Sequence, residues 1–245
     1  MPAEAFSSGS ALASSFRLFA ILVIALAECG CWEGTSRDVL ATVLSLEGPA
    51  SISIDDGRTF SALGTAQNPG SHAILRTSPG SQVSLALLPN CLVHLEQNSS
   101  LEIGRLALTK DGNETGDDMQ ARLAEAKLIT GRIFVSHVWG ETRARLAVST
   151  DNGEVSTPSN AAFWIESGDG NTRVTCASGW VEFRPSGAAK SMRVPPGSIG
   201  QWPSATENIT AADADPRGQD ALQQAIELEQ KLRDLAARKR NVLPR

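Results

Sequence analysis

The sequence predicts a mainly β fold, either a twisted two-sheet body or a β-solenoid-like one, finished by a C-terminal α-helix. Three observations carry that expectation. Larger apolar residues alternate through Ala50-Ser51-Ile52-Ser53-Ile54, Val83-Ser84-Leu85-Ala86-Leu87 and Leu101-Glu102-Ile103. A period of two turns one strand face inward and the other toward water. Turn formers such as Asp56-Gly57, Asn68-Pro69-Gly70, Ser78-Pro79-Gly80, Pro89-Asn90, Asn152-Gly153 and Asp169-Gly170 separate these runs, several of them at the roughly 8–12-residue spacing of short paired strands. Beyond Trp202 the apolar spacing changes to the three- and four-residue steps of a helix.

The first thirty residues bear on the compartment. Arg17 precedes an uninterrupted apolar run from Leu18 to Ala27. That run is shorter than the about 20 residues of a membrane span and fits the roughly 7–15 of a signal-peptide core. Residues 1–31 therefore read as a signal peptide or lipoprotein leader, with a short uncleaved anchor as the other option. Leu26-Ala27-Glu28-Cys29 is similar to a bacterial lipobox, although Glu28 stands where a small residue is expected. Cys31 has Gly30 before it, but Glu28 then takes the Leu position. Cys29 and Cys31 are the lipidation candidates, Cys29 the better match; otherwise both belong to a discarded leader. The expected location is the periplasm, or the membrane surface through a lipid or short N-terminal anchor.

Residues 39–202 form the β region. A unit recurs in Gly48-Pro49-Ala50-Ser51-Ile52, Gly131-Arg132-Ile133-Phe134-Val135 and Gly179-Trp180-Val181-Glu182-Phe183. Each reads as a tight bend leading into a half-buried strand. The intervals are unequal, so the unit is no solenoid repeat. Between Met119 and Leu128, Ala121, Ala124 and Leu128 could line one face of a short helix instead. Cys91 shares strand parity with Val93 and Leu95, and Cys176 with Val174, so both thiols are expected inside the body as separate buried groups.

Residues 203–215 are polar and Ala-rich, a linker. A helix is expected over 216–240, with Asp215 as N-cap and Pro216 at the first helical position. Ala221, Ala225, Leu228, Leu232 and Leu235 make an apolar stripe, whose contact seam is Leu228, Leu232 and Leu235. Glu227 with Lys231 and Glu229 with Arg233 are spaced for i,i+4 pairing. The stripe must be buried for the helix to be stable, against the β body, a partner, or weakly against a second copy.

Three stretches in the β region resemble the FecR family, the periplasmic portion of regulators that relay a surface receptor's state to a sigma factor. They are His72-Ala73-Ile74-Leu75-Arg76-Thr77-Ser78-Pro79-Gly80-Ser81-Gln82-Val83, then Val155-Ser156-Thr157-Pro158 with Ala162-Phe163-Trp164-Ile165, then Gly179 to Phe183 with Val194-Pro195-Pro196-Gly197. Pro89-Asn90 and Ala161-Ala162 depart from the family's usual Asp-Gly and Gly-Thr. The regulators also carry a cytoplasmic anti-sigma segment, and only 17 residues precede the apolar run here. The resemblance therefore implies a FecR-type binding or sensing module at the cell envelope, recognising a protein or glycan and lacking the output segment. The alternative is a structural envelope scaffold assembled through the helix.

Composition and motifs argue in the same direction. Formal net charge is −5. The stretch from Arg217 to Arg245 has seven basic and four acidic residues, a net +3, so the rest of the chain carries −8. An acidic body without Tyr is a poor nucleic-acid partner. The histidines His72, His94 and His137 lack metal-binding spacing, and no nucleophile turn or phosphate loop occurs. No cofactor, metal or catalytic residue is expected, and the chain is not read as an enzyme. Asp111, Asn113, Thr115 and Gly116 match half of a calcium loop, but Arg122 replaces its bidentate Glu, so an acidic solvated loop is expected. The Asn-x-Ser/Thr triplets at Asn98, Asn113 and Asn208 read as loop residues. Trp180, out of phase with Val181 and Phe183, is the candidate for a ligand groove.

Overall fold

The structure, a computed structural model, describes residues 35–110, 121–138, 143–188, 190–203, 209–212 and 215–242. The leader with Cys29 and Cys31, the acidic loop with Asn113, and Trp139 and Asn208 lie outside the described residues.

Among the described residues, seventeen strands form one connected hydrogen-bonded system in two layers. The first layer holds β1 (Thr35–Asp38), β3 (Ala50–Ser53), β4 (Ser61–Ala62), β5 (Ile74–Thr77), β8 (Ser100–Lys110), β10 (Arg143–Thr150), β11 (Gly153–Thr157), β14 (Val181–Pro185) and β15 (Met192–Val194). The second holds β2 (Thr42–Glu47), β6 (Gln82–Leu88), β7 (Cys91–Leu95), β12 (Ala161–Gly168), β13 (Asn171–Ser178), β16 (Ser198–Trp202) and β17 (Thr210–Ala211). Strand β9 (Ala121–His137) belongs to both. Its first half lies between β8 and β10, and its second half between β7 and β12. The two-sheet expectation is thus met, and the solenoid-like one is not.

The change of layer falls at Gly131. Its φ is +96°, and a Cβ there would lie 2.4 Å from Ser99 Oγ. Only glycine fits both the left-handed backbone and the close approach. Ser99 fixes the bend: its hydroxyl accepts from Arg132 N–H at 2.9 Å and donates to Arg132 C=O at 3.1 Å. The same unit recurs at Gly179 (φ +69°), between β13 in the second layer and β14 in the first. Gly48 (φ +73°) stands between β2 and β3, again a crossing between layers. The repeated phrase in the sequence is therefore a repeated layer change.

Residues 121–128 of the short helix considered over 119–128 are strand instead, the first part of β9. Leu123, paired with Ala107 and Arg145, shows how strand partners on both sides override a local helical spacing. Strands also extend past the expected bounds, with β1 on β8 before Val39 and β17 on β16 inside the segment 203–215.

The main core lies between the layers, with Leu75, Leu101, Leu128, Val148 and Phe183 from the first facing Val43, Leu85, Val93, Val135 and Phe163 from the second. A smaller core covers the outer face of the second layer. There α1 (Pro216–Val242) buries Ala221, Ala225 and Leu232 against Leu92, Phe134, Ala162 and Trp164. Trp164 Nε1 donates to the Ala221 carbonyl at 2.9 Å, and its ring lies 5.1 Å from that of Phe134. Asp215 caps α1, its Oδ1 accepting from Arg217 N–H at 3.0 Å. Glu229 pairs with Arg233 at 2.6 Å as spaced, whereas Lys231 reaches Glu47 on β2 at 2.9 Å.

Two substitutions test this architecture. Leu232→Ala empties a fully buried position and is expected to lower stability by about 2–5 kcal/mol in denaturant melts. Gly131→Ala forces a Cβ against Ser99 in left-handed backbone and should cost at least about 3 kcal/mol or abolish folding. A melt unchanged by Gly131→Ala would contradict the shared-strand arrangement.

Candidate functional site

α1 runs across the second layer, from β13 and β12 to β7 and β2. It leaves a concavity at each end. Along its C-terminal half, an apolar groove of about 560 Å³ opens between the helix and β2, β6 and β7. Leu44, Leu88, Leu92, Val138 and Ala236 line it, with Arg233, Asp234 and Lys239 among its polar residues. Lys239 Nζ donates to the carbonyls of Val43 at 2.9 Å and Thr65 at 3.1 Å, tying the helix end to the edge strand β2.

A second, polar cleft of about 680 Å³ lies by the N-terminal turns of α1. The β7–β8 turn supplies Gln97 and Asn98, the β12–β13 hairpin Asp169 and Asn171, and the helix Arg217 and Gln224. Arg132 sits at its heart. The Arg132 guanidinium stacks 3.8 Å above the Trp164 ring, Nε lies 3.2 Å from Glu166 Oε1, and Nη1 donates to Gln224 at 3.3 Å. Arg173 pairs with Asp215 at 2.5 Å. That pairing, with the Arg217 amide, holds the Asp215 carboxyl below its usual range.

Beneath the helix lies a buried polar group that sequence reading missed. Ser84 Oγ and His94 Nδ1 are 3.0 Å apart, and His94 Nε2 is 3.8 Å from Glu96. The trio has the residue types of a nucleophile–base–acid set. Yet Ser84 is 1% and His94 3% exposed, and neither lines the two cavities. Burial, with nearby Lys231 as the next cause, pushes the His94 pKa down to about 4, so the ring is neutral at pH 7. The arrangement satisfies buried polar groups on a covered sheet face. Alternation could have placed Ser84 and His94 on one face, but their direct opposition depends on the register of β6 and β7.

The other expected positions are dispersed. His72 is exposed in a left-handed turn with φ +66°. His137 is buried in β9, with its pKa down at about 4 from burial and then Arg122. Trp180 is half-buried under the Arg193 guanidinium at 3.9 Å and lines neither cavity. Of the helix seam, Leu232 is fully buried against the β body, while Leu228 and Leu235 are half-buried. Cys91 and Cys176 are free, buried thiols whose pKa burial raises to about 12. Among the described residues no group of three or more His, Cys, Asp or Glu could hold a metal ion, and no helix is long and apolar enough to cross a membrane.

The lowered histidines give a pH signature. Unfolded His94 and His137 titrate near 6.5, and the folded ones near 4. The unfolded chain therefore binds more protons in that window, and stability falls as pH drops from 6.5 toward 4. The carboxylates with lowered pKa, such as Asp55 at about 2, act below that range. Urea melts should lose roughly 2–3 kcal/mol per histidine across the window, and His94→Gln should remove about half of the slope. A flat profile would refute this assignment.

No curated protein sequence matches the chain. Two crystal structures of a protein from Parabacteroides distasonis, described as an anti-sigma factor, align at 19% and 18% identity with TM-scores of 0.40 and 0.39. In each alignment 56% of this chain is covered, and it spans only 57% of the other chain. Residues 73–182, from the start of β5 into β14, match the model of the FecR protein family. That segment holds β9 with its flanking strands and the Thr77 and Thr157 phrases, and it identifies the chain as carrying a FecR-family domain.

Proposed function

We propose that this chain is a non-enzymatic binding or sensing module of FecR type, acting at the cell envelope on a protein or glycan partner. The FecR match over residues 73–182 carries the reading. Export rests on Arg17 and the apolar run from Leu18 to Ala27, and attachment to the membrane surface on acylation of Cys29 or Cys31.

The geometry bears on how recognition would work. Strand addition needs a long open edge. The edge strands β1, β4, β15 and β17 have only two to four residues, and Lys239 engages the Val43 carbonyl of the edge strand β2. Short and covered edges disfavour pairing with another chain. Recognition is therefore assigned to the concave surfaces beside α1 and the loops that border them. The helix stripe is used in burying the outer face of the second layer, so the scaffold alternative gains no support from it.

Fractionation of bacterial cells expressing the full chain, with mass analysis of its N-terminus, tests the proposal. The expected product lies outside the cytoplasm and begins beyond Ala27, at Cys29 or Cys31 where it is acylated. An intact cytoplasmic chain starting at Met1 overturns the envelope reading.

A further inference from the structure

We infer that the polar cleft at the N-terminal end of α1 is a binding site for an uncharged oligosaccharide. The inference rests on the envelope-module reading and names a ligand class for it.

The first argument is charge. Arg132, Arg173 and Arg217 line the cleft together with Glu166, Asp169 and Asp220. With Asp215, which pairs with Arg173, three cations stand against four anions, a balance to within one charge that provides no concentrated field to gather a phosphate, a carboxylate or a cation. Two of the arginines are already engaged, Arg132 with Glu166 and Arg173 with Asp215. Their pairing leaves the cleft polar yet electrically balanced.

The second argument is hydrogen-bond type. Five side-chain amides, on Gln97, Asn98, Asn171, Gln201 and Gln224, share this one cleft. Each presents a donor and an acceptor in a single plane. A sugar hydroxyl is likewise donor and acceptor at once, so neighbouring hydroxyls pair with planar amides and with the paired guanidinium and carboxylate groups. A volume of about 680 Å³ is within the roughly 300–1,000 Å³ of small-ligand pockets.

The third argument is rigidity. Arg132 is held between the Trp164 ring, Glu166 and Gln224. Asn98, Gly131 and Asp169 on the cleft wall all have left-handed backbone, with φ of 55°, 96° and 50°. Asn171 Nδ2 donates to the Asp169 carbonyl at 3.2 Å, closing the hairpin tip. Walls fixed before a ligand arrives reduce the ordering cost of binding.

The test is titration calorimetry of the purified full chain with cellotetraose, maltotetraose and chitotetraose, with tetragalacturonate and inorganic phosphate as anionic probes. At least one neutral tetrasaccharide is expected to bind with Kd between about 10 μM and 1 mM. Raising NaCl from about 50 to 500 mM should change that Kd less than about twofold, because no net charge is neutralised. Asn171→Ala combined with Gln201→Ala, both exposed positions, should weaken binding about tenfold or more while the melting temperature falls by no more than about 4 °C, the loss of one exposed hydrogen bond. Leu40→Ala, at a residue that lines the apolar groove at the other end of α1, should leave binding as it was. Absence of binding to all three neutral sugars, binding untouched by the double variant, or salt-sensitive binding of the anionic probes alone overturns the inference. Each of these outcomes is read on purified protein and is independent of where the chain is found in the cell.

Discussion

The bend of β9 at Gly131 is the constraint on which the rest of the structure depends. One strand supplies the middle of both layers, so the direction it takes after the bend sets where every neighbouring strand can pair. It also resolves the parallel pairing of β9 and β10. Parallel neighbours need a crossover between them, and the second half of β9, running in the other layer, provides most of it. The backbone has no room for a side chain at that point, because Ser99 packs against it and binds both polar groups of Arg132.

The threonines of the family phrases serve the same end. Thr77 Oγ1 donates to the Glu96 carbonyl at 2.6 Å and accepts from Ser99 N–H at 2.9 Å. Thr157 Oγ1 donates to the Ser159 carbonyl at 2.8 Å and lies 3.2 Å from that of Trp180. Both hydroxyls are buried and satisfy backbone groups where the chain leaves one layer for the other, which a buried loop cannot leave unpaired. These phrases are thus devices for closing a two-layer body rather than chemistry aimed at a substrate.

α1 converts one face of the frame into a surface with two ends of opposite character. Over its middle it seals Trp164, Phe134 and the Ser84–His94 pair from water. Beyond the sealed zone the same helix walls an apolar groove at one end and a charge-balanced polar cleft at the other. Arg132 links the sealed zone to the cleft, since its guanidinium covers the Trp164 ring while pairing with Glu166 at the cleft wall. Changes in the packing of α1 would therefore be felt at the cleft.

The sequence by itself determined the local features. Alternation gave the strands, Asp215-Pro216 gave the helix start, and the repeated glycine unit gave the positions of the bends, because each depends on a few adjacent residues and their backbone preferences. It also placed Cys91 and Cys176 inside, since parity along one strand decides which face a residue takes. The tertiary structure alone decided that Ala121–Leu128 is strand, because its partners on β8 and β10 are distant in sequence. It alone chose the partner of the helix stripe, and it alone brought Arg132, Glu166, Asn171, Gln201 and Gln224 to one cleft from four separate strands and a helix. Register and layer assignment are long-range choices, and no short stretch of chain records them.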